Sequence, residues 1–288
     1  MMRMNIIKNI IILFLILLFL CCLIKITTIN YYYGTWLWSS KIIKDDGQVN
    51  KILKHLINNN LSKIYLNVDI GISDNYYKNF ITECSKNNIE VYALFGRPKA
   101  IYYKENDYFK DFYNYLKNYN NNALKTEKFI GIHFDVEPYL LEEWSFNRNQ
   151  IIFVFQEFIV YATTIFKKIN MPTDFDIPFW YDKIYYDNNY GQGILAEWIV
   201  KTSDAVTIMA YRDNSEDIIK VSETEVEMAK IHNKKITIAV EYSKSNENKI
   251  TFYQEGKSYM FKELEKIYKH YKKDITNISI HNLTALLE

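Results

Sequence analysis

Cysteine, glycine and proline are scarce in this sequence, and the shortage of cysteine limits how the chain can be stabilised. Only 3 of the 288 residues are cysteine, and two of them, Cys21 and Cys22, lie in an apolar N-terminal run. Cys84 is then the single thiol of the remaining chain, which therefore has no internal disulfide to form. Its stability must come from a hydrophobic core, and a segment of this length can bury one.

Glycine-rich phosphate loops and the common hydrolase motifs are also missing. The sequence contains no G-x-x-x-x-G-K-[ST], H-E-x-x-H, C-x-x-C or G-x-S-x-G pattern. Nucleotide-binding, zinc-protease and serine-hydrolase functions therefore lack their main sequence support. His133, His281 and Asp69 match no established metal-ligand spacing. We predict that the protein uses no metal ion and no cofactor.

An excess of charge of either sign is absent as well. The 35 Lys and Arg residues nearly balance the 34 Asp and Glu residues, so no overall field attracts a polyanion. No cluster of basic residues is arranged to follow a phosphate backbone. We therefore predict that nucleic acid is not a partner.

One long apolar run is present, at the N-terminus. Residues 10–24 carry no charge, and Arg3 and Lys8 precede them. The run is intermediate between a signal-peptide core of roughly 7–15 residues and a transmembrane helix of about 17–25 residues. No small-residue cleavage site follows it, which favours an uncleaved signal anchor. Bulky Leu20 before Cys21 disfavours a lipoprotein cysteine.

We therefore predict two segments, an N-terminal signal anchor or signal peptide over residues 1–30 and a folded domain over residues 31–288. The basic flank places the N-terminus in the cytoplasm and the domain on the extracytoplasmic face of the membrane. If the signal were cleaved, the domain would be secreted.

The chain beyond residue 30 alternates short β-rich runs with longer amphipathic runs. The β-rich runs are β-branched, aromatic and in several cases almost continuously apolar, as is typical of parallel strands covered on both faces. Eight strands are predicted: Gly34 to Trp38, Lys63 to Asp69, Ile89 to Phe95, Phe129 to Glu137, Asp174 to Trp180, Asp204 to Tyr211, Lys235 to Tyr242 and Asn277 to Leu283.

Helix-like spans lie between these strands. They are Gly47 to Asn60, Asp74 to Asn88, Asn106 to Tyr119, Arg148 to Asn170, Gly193 to Ser203, Glu216 to Asn233 and Ser258 to Lys272. Eight alternating units with right-handed crossovers predict an α/β fold, a closed (β/α)8 TIM barrel. The alternative is an open doubly wound sheet. That fold typically has a glycine-rich phosphate turn after its first strand, and this sequence has no such turn there.

A (β/α)8 barrel carries its active site at the C-terminal ends of the strands. Those ends are rich in acids and aromatic residues, which suit sugar chemistry because carboxyls protonate a leaving oxygen and flat rings cover sugar faces. The candidate catalytic residues are Glu137, Asp135, Glu241 and Tyr211. The candidate substrate contacts are Trp36, Trp38, Asp69, Arg97, Trp180, Tyr181, Arg212, Asp213, Tyr242, His281 and Asn282.

Asp135 and Glu137 are separated by one residue and so share a face of the predicted strand. Two carboxyls projecting together into the mouth raise each other's pKa, which suits a general acid that works near neutral pH. In the alternative interpretation Asp135 is a solvated or paired acid and Glu137 caps the next helix. Arg97 and Arg212 are predicted either to pair with these acids or to satisfy strand-end carbonyls.

The segment "FDVEPY" resembles the end of the D-x-x-D-x-D-x-E motif of chitinase-like glycoside hydrolases, and "MAYRD" resembles their M-x-Y-D motif. The resemblance implies that Glu137 is the acid/base, that Asp135 steers a substrate acetamido group and that Tyr211 hydrogen-bonds this group. His133 and Ile130 stand where the motif has its earlier acids, and Arg212 stands where it has Asp.

A second resemblance, to retaining barrel glycosidases of the cellulase-like group, assigns different roles. That group has an acid/base Glu after the fourth strand and a nucleophilic Glu after the seventh, which implies Glu137 and Glu241 here. Val136 stands where the group usually has Asn. A retaining pair of carboxyls lies about 5–5.5 Å apart, and an inverting pair about 6.5–9.5 Å apart.

We therefore expect a membrane-anchored, extracytoplasmic glycoside hydrolase-like barrel that acts on a cell-surface or environmental polysaccharide or oligosaccharide. Two alternatives stay open. One is a catalytically inactive barrel that binds glycan or protein, and the other is an amidase acting on cell-wall peptide.

Overall fold

Eight parallel strands close into a barrel, as the sequence predicts. The computed structural model describes residues 31–105 and 107–288, so the predicted N-terminal anchor lies outside the described residues. The barrel strands are β1 (Tyr33–Leu37), β2 (Leu61–Asn67), β3 (Glu90–Phe95), β4 (Ile132–Phe134), β5 (Thr173–Pro178), β8 (Ala205–Met209), β9 (Lys235–Glu241) and β10 (Asn277–His281). Neighbours around the barrel follow the order β1-β10-β9-β8-β5-β4-β3-β2.

Helices connect successive strands and cover the outside of the barrel. They are α1 (Asp46–Asn58), α2 (Asp74–Lys86), α3 (Tyr108–Asn122), α4 (Arg148–Lys167), α5 (Leu195–Thr202), α6 (Ser215–Ile231), α7 (Lys257–Tyr271) and α8 (Leu283–Leu287). The parallel pairing and the interposed helices confirm the predicted (β/α)8 barrel. Among the described residues α4 alone is long and apolar enough to cross a membrane. Its buried face, which includes Phe155 and Phe158, packs as in a core helix.

An antiparallel hairpin that the sequence pattern does not predict follows β5. It consists of β6 (Tyr185–Asn188) and β7 (Gly191–Ile194). The predicted fifth helix, Gly193 to Ser203, therefore begins later, at Leu195, because the preceding residues pair with β6. Gly191 has a φ of 97°, a conformation that glycine adopts without strain.

Most of the predicted strands are too long at their C-terminal ends, although the third ends at Phe95 as predicted. The fourth was expected to run to Glu137 but β4 ends at Phe134, so both candidate acids lie in the loop beyond it. The fifth was expected to reach Trp180, but β5 ends at Pro178 and a 3-10 turn, Phe179–Lys183, follows. Single backbone hydrogen bonds to the neighbouring strand continue just past these ends, as from Asp135 N–H to the Phe95 carbonyl at 2.9 Å, but the regular strand does not.

Asparagine takes the helix-terminating positions that glycine usually occupies. Asn60, Asn88, Asn170 and Asn233 have φ values of 55°, 56°, 55° and 51°, and each lies within three residues of the end of α1, α2, α4 or α6. Asparagine tolerates this left-handed conformation better than other non-glycine residues. A chain with few glycines therefore still ends its helices sharply.

Candidate active site

A buried histidine lies at the centre of the barrel interior. His133 on β4 is fully buried, with Nδ1 3.0 Å from Asp174 Oδ2 and Nε2 2.8 Å from Asp176 Oδ2. The ring of Tyr65 stacks on it with 3.8 Å between ring centroids. Thr207 donates a further hydrogen bond of 3.1 Å to Asp174. Strand alternation brings these groups together because His133, Asp174 and Asp176 all face inward.

This cluster retains a proton at neutral pH. Burial alone would lower the pKa of His133, but the charges of Asp176 and Asp174 outweigh it and raise the pKa to about 10. Burial also raises the pKa of Asp176. The indole N–H of Trp36 also points at Nε2 of His133, from 3.0 Å. Nε2 accepts this bond only when it carries no proton itself, so the Trp36 bond competes with protonation of Nε2.

Asp135 and Glu137 are interacting acids at the mouth of the barrel, both with raised pKa values. Burial raises the pKa of Asp135 well above its usual value, and the charges of Asp176 and Glu137 add to the effect. Burial also raises the pKa of Glu137, while a hydrogen bond with Asp135 partly offsets the rise. Asp135 Oδ1 is buried and has no hydrogen-bond partner within the described part of the chain. A raised pKa is the direction that a general acid requires.

An aromatic wall stands beside Glu137. Tyr139 donates its hydroxyl proton to the Glu137 carboxylate, and its ring packs edge-on against Trp180 at 5.2 Å between centroids. Trp180 in turn contacts Tyr181 at 4.9 Å. The Tyr181 hydroxyl is buried near Glu137 and has no partner among the residues that the structure describes. Trp180 is only partly buried and so presents ring surface at the mouth.

Tyr211 lies among the carboxyls at the end of β8. Burial raises its pKa well above the usual value, and the charges of Asp176, Glu241 and the Asp135/Glu137 pair add to the effect. Its hydroxyl is therefore a neutral donor at any physiological pH.

Arg212 forms no ion pair with an acid among the residues that the structure describes. Its guanidinium donates to the carbonyl of Tyr211 at 2.6 Å and lies over Phe179 at 4.6 Å. This arrangement matches the second of the two predicted roles, in which Arg212 satisfies a carbonyl group at a strand end. Asp213 accepts a 2.9 Å bond from Asn214.

Glu241 at the end of β9 is held by three donors. The backbone N–H groups of Tyr242 and Ser243 donate to Oε1 at 2.8 and 2.6 Å, and His281 Nδ1 lies 2.8 Å from Oε2. Although burial opposes the change, the bonds from His281 and Ser243 lower the pKa of Glu241. Trp38 donates its indole N–H to His281 Nε2 at 2.9 Å. The imidazole proton therefore lies on Nδ1, and a continuous chain runs from Glu241 through His281 to Trp38.

A cleft of about 370 Å³ opens beside Trp38, at the ends of β1, β2 and β3. Its walls include Asp69, Arg97 and Tyr108, and the Arg97 guanidinium stacks on Tyr108 at 3.8 Å. Gly96 forms the floor between Trp38 and Asp135. A Cβ atom there would lie 2.7 Å from the Trp38 ring and 3.0 Å from the Asp135 carbonyl oxygen. The cleft therefore lies close to the backbone of Asp135.

Three predicted substrate contacts have structural roles instead. Trp36 is 1% exposed and packs in the barrel interior against Tyr65. Tyr242 is buried and packs near Tyr253 at 6.2 Å. Asn282 caps α8, because its Oδ1 accepts the backbone N–H of Ala285 at 3.2 Å. Contact with substrate would require each of them to leave these positions.

Four residues of the site were not among the sequence candidates. They are His133, Tyr139, Asp174 and Asp176. The alternation of acids in "DFDIP" places Asp174 and Asp176 on one face of a strand, and this is the signal that predicts them. Within residues 31–105 and 107–288 no three His, Cys, Asp or Glu side chains are grouped to hold a metal ion.

The barrel resembles solved structures of glycoside hydrolases. A GH18 chitinase from Pseudoalteromonas aurantia matches with a TM-score of 0.54 at 11% identity, over 87% of this chain and 93% of that chain. The glycoside hydrolase domain of PgaB (BpsB) from Bordetella bronchiseptica matches with a TM-score of 0.52 at 9% identity, over 89% and 95%. A sugar phosphate isomerase/epimerase from Parabacteroides distasonis matches with a TM-score of 0.51 at 12% identity, over 90% of each chain.

No protein-family profile and no curated protein matches the sequence. At these low identities the structural likeness establishes the fold. The chain therefore has a TIM-barrel fold like that of glycoside hydrolases, as the resemblance of its motifs implied. Since a sugar isomerase has a similar barrel, the reaction must be argued from the site itself.

Proposed function

We propose that the protein is a glycoside hydrolase that cleaves glycans containing N-acetylated amino sugars, with Glu137 as general acid and base. The observation that carries the proposal is that Asp135 and Glu137 interact at the barrel mouth, beside Tyr139 and Tyr211, with the pKa of both carboxyls raised. The same two positions match the end of the chitinase-like motif. The chitinase among the structural neighbours supports the substrate class.

A single proton in this pair serves two purposes. When it lies on Glu137, it is available to the glycosidic oxygen, and Asp135 is left ionised to accept the substrate amide N–H. As Glu137 protonates the leaving oxygen, the C1–O bond breaks and the substrate's acetamido carbonyl oxygen bonds to C1, giving a cyclic oxazolinium ion. Tyr211 donates to the acetamido group. Water then attacks C1, transfers a proton to Glu137 and restores the amide.

The direct test compares the full-length wild-type protein in detergent with Glu137→Gln and a matched control, Glu142→Gln. Glu142 is exposed in the same loop. Substrates are chito-oligosaccharides, peptidoglycan, and β-mannan or cellulose, which lack an acetamido group. We expect turnover of acetamido substrates only, a loss of about 10³-fold or more in kcat for Glu137→Gln, and little change for the control. Absence of wild-type turnover on every glycan contradicts the proposal.

Two observations favour a second candidate, a barrel that binds glycan without cleaving it. Tyr139 already occupies one oxygen of Glu137, and His133 stands where the chitinase-like motif has an acid. Under this alternative the wild type and Glu137→Gln bind oligosaccharide with similar affinity and neither releases product.

We also propose that residues 1–30 anchor the protein in a membrane with the barrel on the extracytoplasmic face. The uncharged run 10–24 and its basic flank support this orientation. Expression of the full-length chain, followed by membrane fractionation and protease treatment of intact cells, tests it. The anchored protein should sediment with membranes and be digested from outside, whereas recovery in the soluble cytoplasmic fraction contradicts the proposal.

A further inference from the structure

Two carboxylate–histidine–tryptophan chains lie in the barrel. Asp174, His133 and Trp36 form the buried one. Glu241, His281 and Trp38 form the other, at the mouth, where the His281 and Glu241 side chains are 21% and 13% exposed. Only the second chain ends on an indole that lines the cleft.

Glu241 has little freedom to act on a substrate carbon. Oε1 accepts two backbone N–H groups, at 2.8 and 2.6 Å, and Oε2 accepts His281 Nδ1–H at 2.8 Å. A nucleophilic attack through either oxygen must weaken these bonds. The same bonds hold the imidazole with Nε2 directed at Trp38, whose N–H it accepts at 2.9 Å.

The indole is fixed on its other side by the backbone. Gly96 brings the main chain so close that a Cβ atom would lie 2.7 Å from Trp38 Cη2. Trp38 is thus held between His281 and Gly96 and beside the carbonyl of Asp135. A rigid indole of this kind offers a preorganised face for a sugar ring.

We propose that Glu241 and His281 are positioning residues that fix the Trp38 indole as one wall of a sugar subsite next to Asp135. The proposal rests on the glycosidase function proposed above. It excludes Glu241 as the nucleophile, the role that the cellulase-like resemblance implies.

Kinetics of Trp38→Phe, His281→Phe and their double variant test the coupling. We expect each single variant to raise KM about 10-fold with kcat nearly unchanged, and the double variant to raise KM by about the same factor instead of about 100-fold, because both changes remove one interaction. His281→Gln keeps an amide donor and acceptor and should restore most of the affinity. Multiplicative effects in the double variant overturn the proposal.

A matched control is available on the outside of the barrel. His232 Nε2 lies 2.9 Å from Glu197 Oε1 in an equivalent carboxylate–histidine pair. His232→Phe should leave KM and kcat unchanged. A similar rise in KM in this variant would indicate general loss of folding and overturn the specific role of His281.

Glu241→Gln separates positioning from nucleophilic catalysis. The glutamine carbonyl oxygen can still accept both backbone N–H groups, and only the bond from His281 is lost, so we expect kcat within about 10-fold of wild type. A loss of about 10³-fold, comparable to that of Glu137→Gln, would make Glu241 the nucleophile and overturn the proposal while leaving the glycosidase function intact.

The indole proton provides a readout that needs no turnover. In ¹⁵N-labelled protein, the resonance that disappears in Trp38→Phe is that of Trp38. We expect it to move toward the position of a free indole in His281→Phe and to stay unchanged in His232→Phe. If the wild type shows no turnover, the glycosidase function is contradicted, but this resonance still tests whether His281 accepts the Trp38 N–H. An unmoved resonance in His281→Phe overturns the positioning role of His281.

Discussion

His133 Nε2 lies 2.8 Å from Asp176 Oδ2 in the interior of the barrel. His133 lies on β4, two residues before Asp135. Parallel barrel interiors are ordinarily packed with branched apolar side chains. Here a buried histidine and two aspartates replace part of that packing, and Asp176 in turn raises the pKa of Asp135. The interior cluster and the candidate acids therefore form one electrostatic system.

Removing His133 should destabilise the fold. In His133→Phe the ring still stacks on Tyr65, but Asp174 and Asp176 are left as neighbouring buried acids without their partner. Breaking a buried ion pair in this way costs about 3–5 kcal/mol, and urea unfolding at pH 7 measures it. His232→Phe, which disrupts a more exposed pair, should cost less than about 1 kcal/mol.

The proton held by His133 gives the wild type a defined pH dependence of stability. The pKa of His133 rises from 6.5 in the unfolded chain to about 10 in the fold, so the native state holds the extra proton between these values. Its contribution to stability is complete below about pH 6.5 and is lost as the pH rises toward 10, by about 1.4 kcal/mol per pH unit at most. The free energy of unfolding of the wild type, measured by urea unfolding at each pH, should therefore fall over this range. A wild-type stability that stays constant would contradict the raised pKa of His133.

Glu225 should make the protein less stable as the pH rises. It lies fully buried on α6, and neither carboxylate oxygen has a partner in the described chain. Burial raises its pKa from 4.5 to about 8. Between these values the folded state binds more proton than the unfolded state, so the free energy of unfolding falls by up to about 1.4 kcal/mol per pH unit.

Glu225→Gln removes this dependence. We expect the variant to gain stability over wild type as the pH increases from 5 to 8, measured by urea unfolding at each pH. Glu227→Gln, on the exposed face of the same helix, should track wild type. A stability advantage of Glu225→Gln that is greatest at pH 5 would contradict the prediction, because the pH dependence would then run in the opposite direction.

The strand count, the parallel order and the helical cover could be predicted because they depend on local periodicity. Each buried strand is a short β-branched run, and each helix carries an apolar stripe. The β6–β7 hairpin could not be predicted in this way. Its strand Gly191–Ile194 contains two glycines and has exposed or half-exposed side chains, so it lacks the buried pattern that identifies a strand.

The candidate site was only partly predictable because its decisive contacts join distant segments. Asp135 and Glu137 are separated by one residue in sequence, so their interaction could be expected from the local chain. His133 meets Asp174 across adjacent strands in the register His133↔Asp174, which no local pattern reveals. The bond between Glu241 and His281 likewise depends on how β9 pairs with β10.

Gly96→Ala should disturb the cleft. The new Cβ would lie 2.7 Å from the Trp38 ring and 3.0 Å from the Asp135 carbonyl oxygen, and neither neighbour is the end of a flexible side chain. We expect overpacking to cost about 1–3 kcal/mol of stability and KM to rise. At Gly47 the nearest atom to a new Cβ is a side-chain oxygen of Asp45 at 3.1 Å. Gly47→Ala is therefore the control, and equal losses in both variants would contradict the role of the close approach.

Asp135→Asn should shift the pH dependence of catalysis in a direction that the geometry determines. Burial raises the pKa of Glu137, and its hydrogen bond with Asp135 opposes the rise. An asparagine amide donates to the Glu137 carboxylate at every pH and never carries a charge, so it should lower the pKa of Glu137.

Glu137 must be protonated to act as the acid, so the basic limb of kcat/KM against pH should move to lower pH in Asp135→Asn. Activity should also fall, because the amide cannot accept the substrate N–H as the carboxylate does. Glu142→Gln, which leaves the pair intact, should keep the wild-type limb. A basic limb that moves to higher pH would contradict the prediction, because loss of the Asp135 charge and donation from the amide both lower the pKa of Glu137.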